Sequence, residues 1–239
     1  MIPKKIHYCW YGGKPLPELA LKCIESWKKY CPDYEIIRWD ESNTDLNANS
    51  YIHEAFECRK WAFITDYVRL KALYEQGGIY MDTDVQVISS LDGFLENKGF
   101  SGFENEHQVP TGIMASEAGN KFIGHLLEFY KDAHFIKADG KPDTTTNVDI
   151  ITRMAVAKGL KLDNTLQTVD DFTFYPKDFF CPKDSRSLKT HLTSNTATIH
   201  HFAGSWENPW ILSVKRITKK VLGERLSLLI SKIKGSNKK

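Results

Sequence analysis

The amino-acid sequence predicts an α/β fold, with a largely parallel sheet flanked by helices. Strand-like and helix-like segments alternate through the first 85 residues, which is the pattern of a sheet whose parallel strands are joined by crossing helices. A chain of 239 residues can bury a substantial core, so one large domain is expected rather than two. No internal repeat or low-complexity linker supplies a domain boundary before the C-terminal tail.

Five segments of the first half have assignable secondary structure. The first strand ends at Gly12-Gly13, where glycine permits a turn, and the first helix stops at Pro32. The second helix has apolar residues at helical spacing and stops at Gly77-Gly78, after which a buried strand follows without a gap. In order, the segments are a strand over 5–10, a helix over 17–30, a strand over 35–40, a helix over 61–74 and a strand over 79–85, with a polar loop at 43–49.

The second half of the sequence has a less regular pattern. Short strands and amphipathic helices are still indicated, but the aromatic stretch over 172–180 has no assignment. The indicated elements are strands over 99–103 and 112–115, helices over 121–134 and 147–157, and a last strand over 196–202.

The strand after Gly77-Gly78 ends in a tyrosine and two aspartates. Alternate residues of an extended chain share a face, so Tyr80, Asp82 and Asp84 are expected to converge on one side. Grouped carboxylates repel one another and favour a hard divalent cation such as Mg²⁺ or Mn²⁺, with a phosphorylated substrate as the natural third party. One Asp-x-Asp is expected by chance in a chain of this composition, so the triplet needs its context.

The helix before the glycines supplies that context. Asp66 and Arg69 are three residues apart and therefore neighbours on one helix face, which the short glycine turn could bring near the aspartates. The alternative interpretation is an ion pair on the protein surface.

Composition excludes several classes of protein. The five cysteines form no Cys-x-x-Cys pair and are odd in number, so neither a disulfide framework nor a zinc site is indicated, and a reducing cytosol is expected. The N-terminus lacks the apolar region of a signal peptide, and no run of about 18 apolar residues is present to span a membrane.

Basic charge is concentrated in the last 31 residues. Residues 209–239 hold nine Lys or Arg and one Glu, a charge of +8, so the rest of the chain carries −6 of the overall +2. Apolar residues recur there at three and four, which predicts a basic amphipathic helix that could lie on an anionic membrane surface or pack on the domain. The expected organisation is a domain over 1–208 and a helical tail over 209–239; no nucleic-acid recognition module accompanies the basic cluster, so nucleic acid is not expected as a partner.

Several spaced motifs in this order resemble the bacterial glycosyltransferases that carry a DXD sugar-transferase region, of the glycosyltransferase family 32 type. That family includes capsule and lipopolysaccharide enzymes, yeast-type mannosyltransferases and, distantly, the clostridial glucosylating toxins. The matching segments are Ile2-Pro3-Lys4-Lys5-Ile6-His7-Tyr8-Cys9-Trp10 with Gly12-Gly13, Ser26-Trp27, Pro32-Asp33-Tyr34, Asp66-Tyr67-Val68-Arg69 and Gly77-Gly78-Ile79-Tyr80-Met81-Asp82-Thr83-Asp84.

The resemblance implies a GT-A-type, Rossmann-like fold with a mixed, mostly parallel sheet. It also implies transfer of a sugar from a nucleotide-diphosphate sugar, with retention of configuration and with Mn²⁺ or Mg²⁺ as cofactor. The donor is not readable, although a UDP-hexose is favoured. A glycan or lipid-linked oligosaccharide is the expected acceptor, in capsule or lipopolysaccharide-type synthesis at the inner face of the plasma membrane.

The resemblance also implies roles for residues of the N-terminal half. Trp10 looks like the residue that stacks on the donor base, and Tyr80 like a ring of the donor pocket. Asp66 and Arg69 match the positions that hold the donor sugar and diphosphate. Asp84 is the expected direct metal ligand, with Asp82 reaching the ribose or the metal.

The segment 201–210 is similar to the closing segment of retaining GT-A enzymes. On that similarity His201 completes the metal sphere, and the loop with Ser205 and Trp206 covers the diphosphate. An imidazole ligand would favour Mn²⁺ over Mg²⁺. His200, on the opposite strand face, is expected to be structural. Asn208 stands where the related galactosyltransferase pattern has a lysine, so how the leaving group is stabilised beyond the metal and Arg69 stays open.

No nucleophile for a retaining reaction is evident. Asn147 and Asp149, at the start of a predicted helix, could face the sugar or the acceptor, but capping of that helix is the favoured interpretation.

The sequence is also compatible with two other functions. The strand with Asp82-Thr83-Asp84 also looks like the opening of haloacid-dehalogenase-type phosphatases, although eighty residues precede it and Gln86 stands where those enzymes have a hydroxyl residue. A non-catalytic module that binds nucleotide sugars or glycans is the second alternative.

Overall fold

The computed structural model describes residues 1–110, 112–185, 187 and 189–204. The predicted tail helix over 209–239, and with it the predicted domain boundary, lies outside the described residues. Among the described helices none combines the length and the apolar run that a membrane crossing requires.

The described part of the chain contains six α-helices and nine strands. The helices are α1 (Glu18–Tyr30), α2 (Ser50–Glu57), α3 (Trp61–Gln76), α4 (Lys121–Lys131), α5 (Asn147–Ala157) and α6 (Lys177–Phe180), with a single 3₁₀ turn at Asp92–Phe94. The strands are β1 (Lys5–Cys9), β2 (Glu35–Trp39), β3 (Gly78–Met81), β4 (Val85–Val87), β5 (Gly99–Gly102), β6 (Ile113–Ser116), β7 (Gln167–Val169), β8 (Phe172–Tyr175) and β9 (Thr198–His200).

A mixed sheet organises the fold. Within the described residues it has seven strands in the order β2-β1-β3-β6-β5-β8-β7, while β4 and β9 form a separate antiparallel pair. The β1 strand pairs in parallel with both β2 and β3, and β5 does so with β8; the other pairs in the sheet are antiparallel. The predicted α/β class, a mixed sheet flanked by helices, is confirmed.

The sheet separates two hydrophobic cores, and β3 contributes to both. All four β3 residues are buried; Tyr80 points into the core formed with α2, α3, α4 and α5, whereas Ile79 and Met81 point into the core formed with α1 and α6. This double burial explains why the strand sequence is apolar on both faces. The residues that follow β3 therefore begin at the C-terminal end of a strand that is buried on both faces.

Three details differ from the sequence predictions. The α2 helix was not predicted; it begins after Asn49, whose side chain accepts a hydrogen bond from the Ile52 backbone N–H at 3.0 Å. The unassigned aromatic stretch folds as β8 followed by the short helix α6. The last strand is shorter than predicted and ends at His200.

The glycine pair between α3 and β3 is required by the close approach of other backbone atoms. Both residues have positive φ, +64° for Gly77 and +111° for Gly78. A Cβ atom on Gly77 would lie 2.8 Å from the Ala118 backbone nitrogen, and one on Gly78 would lie 2.9 Å from the Lys5 carbonyl oxygen. Only glycine satisfies both conditions, so α3 ends here and β3 begins at once beside β1.

Two side chains of α1 hold β4 in place. The Trp27 indole N–H donates to the Val85 carbonyl at 2.7 Å, and the Ser26 hydroxyl accepts from the Val87 N–H at 3.0 Å. Trp27 is fully buried. These bonds give the Ser26-Trp27 motif a structural role, since they fix the strand that directly follows Asp84.

His7 connects three elements from a fully buried position. Its Nε2 lies 2.8 Å from the Gly77 carbonyl oxygen, and its Nδ1 accepts from the Trp39 indole N–H at 3.2 Å. The imidazole is therefore neutral with its proton on Nε2. Burial lowers the pKa of His7 below 6.5.

We expect His7 to make folding stability depend on pH in the acid range. The unfolded chain binds a proton more readily than the folded one, so the stabilisation by His7 is complete above about pH 6.5 and is lost as the pH falls towards the folded-state pKa. His7→Gln should cost about 1–2 kcal/mol at pH 7.5 and flatten the loss of stability between pH 7.5 and 5. Urea unfolding measures both effects.

The exposed His53 supplies the control, because His53→Gln removes an imidazole from the surface and should leave the stability at pH 7.5 unchanged. An acid slope that is the same in His7→Gln and in the wild type would contradict this role for His7.

Candidate functional site

The two aspartates of the Asp-x-Asp motif lie in the turn between β3 and β4. The strand ends at Met81, and the Val85 N–H donates to the Asp82 carbonyl at 3.0 Å, which closes the turn. The predicted convergence by strand alternation is therefore wrong in its mechanism. The tight turn, rather than a shared strand face, brings the carboxylates together.

The turn places both carboxylates beside a histidine from the far end of the described chain. Ligand atoms of Asp82, Asp84 and His200 lie within 4.8 Å of one another. This contact results from the pairing of β9 with β4, which sets His200 opposite Val85, the residue after Asp84. Two carboxylates and one imidazole at such spacing form a donor set that could hold a divalent cation.

Asp84 and His200 form a buried ion pair. The His200 Nε2 lies 3.4 Å from the Asp84 Oδ1, and the Ala203 N–H donates to the Asp84 Oδ2 at 2.7 Å. Burial by itself would raise the pKa of Asp84, but His200 and this N–H outweigh it and hold the pKa low. Burial likewise opposes the charge on His200, yet Asp84 raises the pKa of His200 well above its usual value.

The sequence prediction assigned His201 to the metal, whereas the structure places His201 beside Gln86 and His200 beside the two aspartates. The His201 Nε2 lies 2.9 Å from the side-chain oxygen of Gln86, and its backbone N–H donates to the Asp84 carbonyl at 3.0 Å. Adjacent strand residues point to opposite faces, so only one of the two histidines can face the aspartates. Strand pairing decides that this is His200, which the sequence prediction had considered structural.

Arg69 joins the motif to helix α3. A terminal guanidinium nitrogen lies 3.4 Å from Asp66 Oδ1 and 3.3 Å from Asp82 Oδ1, and the guanidinium lies over the ring of Tyr80, 4.5 Å from its centroid. The Tyr80 hydroxyl donates to the same Asp82 oxygen at 3.0 Å. The predicted proximity of Asp66 and Arg69 to the aspartates is present, and the ion pair is buried rather than superficial.

Burial gives Asp66 an unusual carboxyl group. Its pKa is raised to about 7 because it is desolvated, with Arg69 opposing the shift and Asp82 adding to it. A carboxyl with this pKa can exchange a proton near neutrality. The Arg69 guanidinium lies between this carboxyl group and Asp82 of the Asp-x-Asp turn.

Asp82, Asp84 and His200 are called the cluster from here on. Two residues that sequence reasoning missed also lie beside it. The Glu104 Oε2 is 4.0 Å from the Nδ1 of His200. Burial raises the pKa of Glu104, with Asp82 and Asp84 adding to the shift and His200 opposing it. Glu104 lies two residues after β5, beyond a strand end as the aspartates are, and that position was the signal available in the sequence.

Gly112 is the second missed residue, and it allows the cluster to close. A Cβ atom at this position would lie 2.8 Å from Val85 Cγ2, 3.2 Å from Asp82 Oδ2 and 3.2 Å from His200 Cδ2. Its carbonyl also accepts the Asp82 N–H at 2.8 Å. The space that a side chain would fill is thus occupied by the candidate ligands.

Of the predicted donor-binding residues Trp10, Ser205 and Trp206, the structure describes Trp10. Trp10 directly follows β1, the parallel neighbour of β3, and its indole N–H donates to the Lys14 carbonyl at 2.6 Å while the ring is partly exposed. Its role in stacking on a base stays a prediction. Ser205 and Trp206 lie outside the described residues.

Asn147 and Asp149 begin helix α5. Thr146 caps this helix: its hydroxyl accepts the Asp149 N–H at 3.2 Å and donates to the Asp149 carboxylate at 2.8 Å. The other carboxylate oxygen of Asp149 accepts from Gln108 at 2.9 Å. Asn147 is buried, and its side-chain Nδ2 has no hydrogen-bond partner among the described residues. Capping accounts for Asp149 and leaves the role of Asn147 open.

We expect Gly112→Ala to disturb the cluster. The added methyl group would overlap Val85 and crowd Asp82 and His200, so we expect a loss of about 1–3 kcal/mol in the free energy of unfolding and weaker binding of a divalent cation. Urea unfolding and titration with Mn²⁺ measure the two effects.

Gly93→Ala is the matched control, because a Cβ atom there would meet nothing within 4 Å. If Gly112→Ala is as stable as Gly93→Ala and binds Mn²⁺ as well, Gly112 does not set the spacing of the cluster.

Comparison with known proteins gives a family match for part of the chain. Residues 17–101 match the model described as the glycosyltransferase sugar-binding region containing a DXD motif. The matched segment includes Asp66, Arg69, Asp82 and Asp84. It ends before Glu104, Gly112 and His200.

Similar proteins include glycosyltransferases. The chain is 29% identical over 142 residues to inositol phosphoceramide mannosyltransferase 3 of Schizosaccharomyces pombe, covering 56% of this chain and 40% of that protein. It is 26% identical over 156 residues to an uncharacterised protein of Arabidopsis thaliana, covering 64% of this chain and 23% of that protein. The chain thus spans less than half the length of these curated relatives.

Among solved structures, a galactosyltransferase in complex with donor and acceptor sugar analogues aligns with a TM-score of 0.46 and 15% identity, over 84% of this chain and 87% of that chain. Residues 17–101 are therefore similar to the DXD-containing sugar-binding region of glycosyltransferases.

Proposed function

We propose that this protein is a retaining, metal-dependent glycosyltransferase of the GT-A type. It moves a sugar, for which a UDP-hexose is the favoured donor, to a glycan or lipid-linked oligosaccharide in capsule or lipopolysaccharide-type synthesis. The observation that carries the proposal is the grouping of Asp82, Asp84 and His200 within 4.8 Å, with Arg69 3.3 Å from Asp82. Such a site has the charge and the donor atoms to bind a diphosphate through a divalent cation.

The residues present fit a divalent cation. Asp84 and Asp82 offer carboxylate oxygens and His200 offers an imidazole nitrogen, all on a framework fixed by β3, β4 and β9. A mixed oxygen and nitrogen donor set suits Mn²⁺ better than Mg²⁺. When bound, the cation would supply Lewis-acid stabilisation of the negative charge that grows on the leaving diphosphate.

Arg69 supplies the second positive charge at this place. A sugar departs from a nucleotide diphosphate only when the charge on the β-phosphate oxygens is stabilised, and a preorganised guanidinium does this without reorganisation. Tyr80, Asp66 and Asp82 hold the guanidinium in a fixed orientation, as the contacts of 3.3 to 4.5 Å indicate. Asp66 and Tyr80 are therefore proposed as donor-pocket residues around Arg69.

The rest of the donor and acceptor site is proposed from the family resemblance. Trp10 would stack on the donor base beyond the end of β1, and Asn147 would reach the sugar or acceptor with its unpaired amide. Ser205 and Trp206 would cover the diphosphate. The name of the yeast relative, an inositol phosphoceramide mannosyltransferase, supports an acceptor with a lipid part. The basic segment 209–239 would then bring the enzyme to an anionic membrane surface on the cytoplasmic side.

Hydrolysis of a panel of nucleotide sugars tests the proposal. We expect release of the nucleotide from at least one donor, with a UDP-hexose first, and a dependence on Mn²⁺. Asp84→Ala should lower the rate by about 100-fold or more, because Asp84 is the expected ligand of the divalent cation that would stabilise the negative charge on the leaving diphosphate. The same preparation assayed on an aryl phosphate addresses the phosphatase alternative.

Hydrolysis that is unaffected by metal removal and by Asp84→Ala would contradict this mechanism. Donor binding without turnover, in the presence of Mn²⁺ and an acceptor library, would favour a binding module instead.

Arg69→Lys tests the role of the guanidinium separately. Lysine keeps the positive charge, but its ammonium group lacks the planar set of N–H donors with which arginine can contact Asp66, Asp82 and a phosphate together. We therefore expect kcat to fall by about 10- to 100-fold, with little change in the Kd for Mn²⁺. Steady-state rates with the best donor measure the first quantity, and Mn²⁺ titration measures the second. Lys71→Arg, on a half-buried position two residues further along α3, is the control and should leave both unchanged. A wild-type kcat in Arg69→Lys would contradict the role.

A further inference from the structure

The imidazole of His200 lies between two carboxylates. Asp84 Oδ1 lies 3.4 Å from its Nε2, and Glu104 Oε2 lies 4.0 Å from its Nδ1. His200 is only 8% exposed, and its Nδ1 is a buried atom without a hydrogen-bond partner among the described residues. A buried side-chain nitrogen without a hydrogen-bond partner is uncommon in folded proteins.

The chemistry of an imidazole ligand explains what this second carboxylate does. A histidine binds a metal through one ring nitrogen that carries no proton, and the other nitrogen keeps its proton and needs an acceptor. We propose that Glu104 is the positioning residue of His200, accepting the Nδ1 proton so that Nε2 is directed, unprotonated, at a divalent cation held with Asp82 and Asp84. This inference rests on the proposed metal-dependent function.

The surroundings of His200 restrict it to small movements. The ring of Phe202 lies against the imidazole with a centroid distance of 4.2 Å, and β9 fixes the His200 backbone beside Val85. A distance of 4.0 Å exceeds a hydrogen bond, and a side-chain adjustment of about 1 Å would close it. Release of Nε2 from Asp84 on cation binding would permit that adjustment.

Glu104 is itself held by a structured loop. Its backbone N–H donates to the Gln108 carbonyl at 3.0 Å. The loop is fastened to helix α5 where the Thr152 hydroxyl donates to the Val109 carbonyl at 2.6 Å and accepts the Val109 N–H at 3.0 Å. The carboxylate is therefore presented from a fixed support, as positioning of a metal ligand requires.

Titration of the chain of residues 1–239 with Mn²⁺ tests the inference without any substrate, with the free ion measured by electron paramagnetic resonance. Glu104→Leu removes the acceptor and should weaken Mn²⁺ binding by about 10- to 100-fold. Glu104→Gln keeps an acceptor oxygen without the charge and should restore most of that loss. Glu106→Gln removes a charge from an exposed position of the same loop and should leave the Kd within about twofold of the wild type.

A second readout reports on the imidazole itself. In nitrogen-15 spectra of histidine-labelled protein loaded with diamagnetic Mg²⁺, His200 should carry its proton on Nδ1 in the wild type and in Glu104→Gln. In Glu104→Leu this proton should exchange faster with water. A structural role for Glu104 in the loop alone would not change the tautomer signal of His200.

The outcomes separate this inference from the proposed function. If Asp84→Ala loses Mn²⁺ binding while Glu104→Leu keeps the wild-type Kd, the metal site stands and the positioning role is wrong. The role is also wrong if Glu104→Leu lowers only the rate of sugar transfer, or if Glu104→Gln binds as weakly as Glu104→Leu. A wild-type protein that binds no Mn²⁺ overturns the proposed metal site and this inference together.

Discussion

A group of buried and partly buried carboxyl groups is the feature on which the described site depends. Within the described residues, Asp66, Asp82, Asp84 and Glu104 lie around two basic side chains, Arg69 and His200. Removing charges from water costs several kcal/mol for each ion unless partners compensate for the loss. In the proposed enzyme, a bound divalent cation would add positive charge beside these carboxyl groups.

The site is closed by contacts between residues that are distant in sequence. His200 and Ala203 reach Asp84 only because β9 pairs with β4, and β4 is in turn fixed by Ser26 and Trp27 of α1. Three separate parts of the chain therefore determine the geometry of one aspartate. Any change that loosens α1 or β9 should alter the ligand spacing before it alters the main sheet, because the β4–β9 pair is not part of that sheet.

The family match covers only some of the residues that form the site. The matched segment, residues 17–101, contains the Asp-x-Asp turn and the α3 helix with Asp66 and Arg69. Glu104, Gly112 and His200, which complete the cluster, come from the later part of the chain. In the proposed enzyme the first part would hold the diphosphate, and the later part would set the coordination and the metal preference.

The sequence by itself determined the alternation of strands and helices, the stop of α3 at Gly77-Gly78, and the presence of Asp66 and Arg69 near the aspartates. These features are local, since periodicity, glycine turns and helix spacing act over a few residues. The family resemblance added the expected chemistry, because several motifs occur in the right order.

Only the tertiary structure decided between His200 and His201, and only it showed Glu104 and Gly112 at the site. Neighbouring histidines on a strand are equivalent in sequence until pairing with β4 fixes which face meets the aspartates. The position of Glu104 beyond a strand end is only a weak signal, and a glycine before a strand, such as Gly112, has no distinctive local pattern. Their importance arises from atoms that come within about 4 Å through folding, and such long-range packing is not encoded in the spacing of residues along the chain.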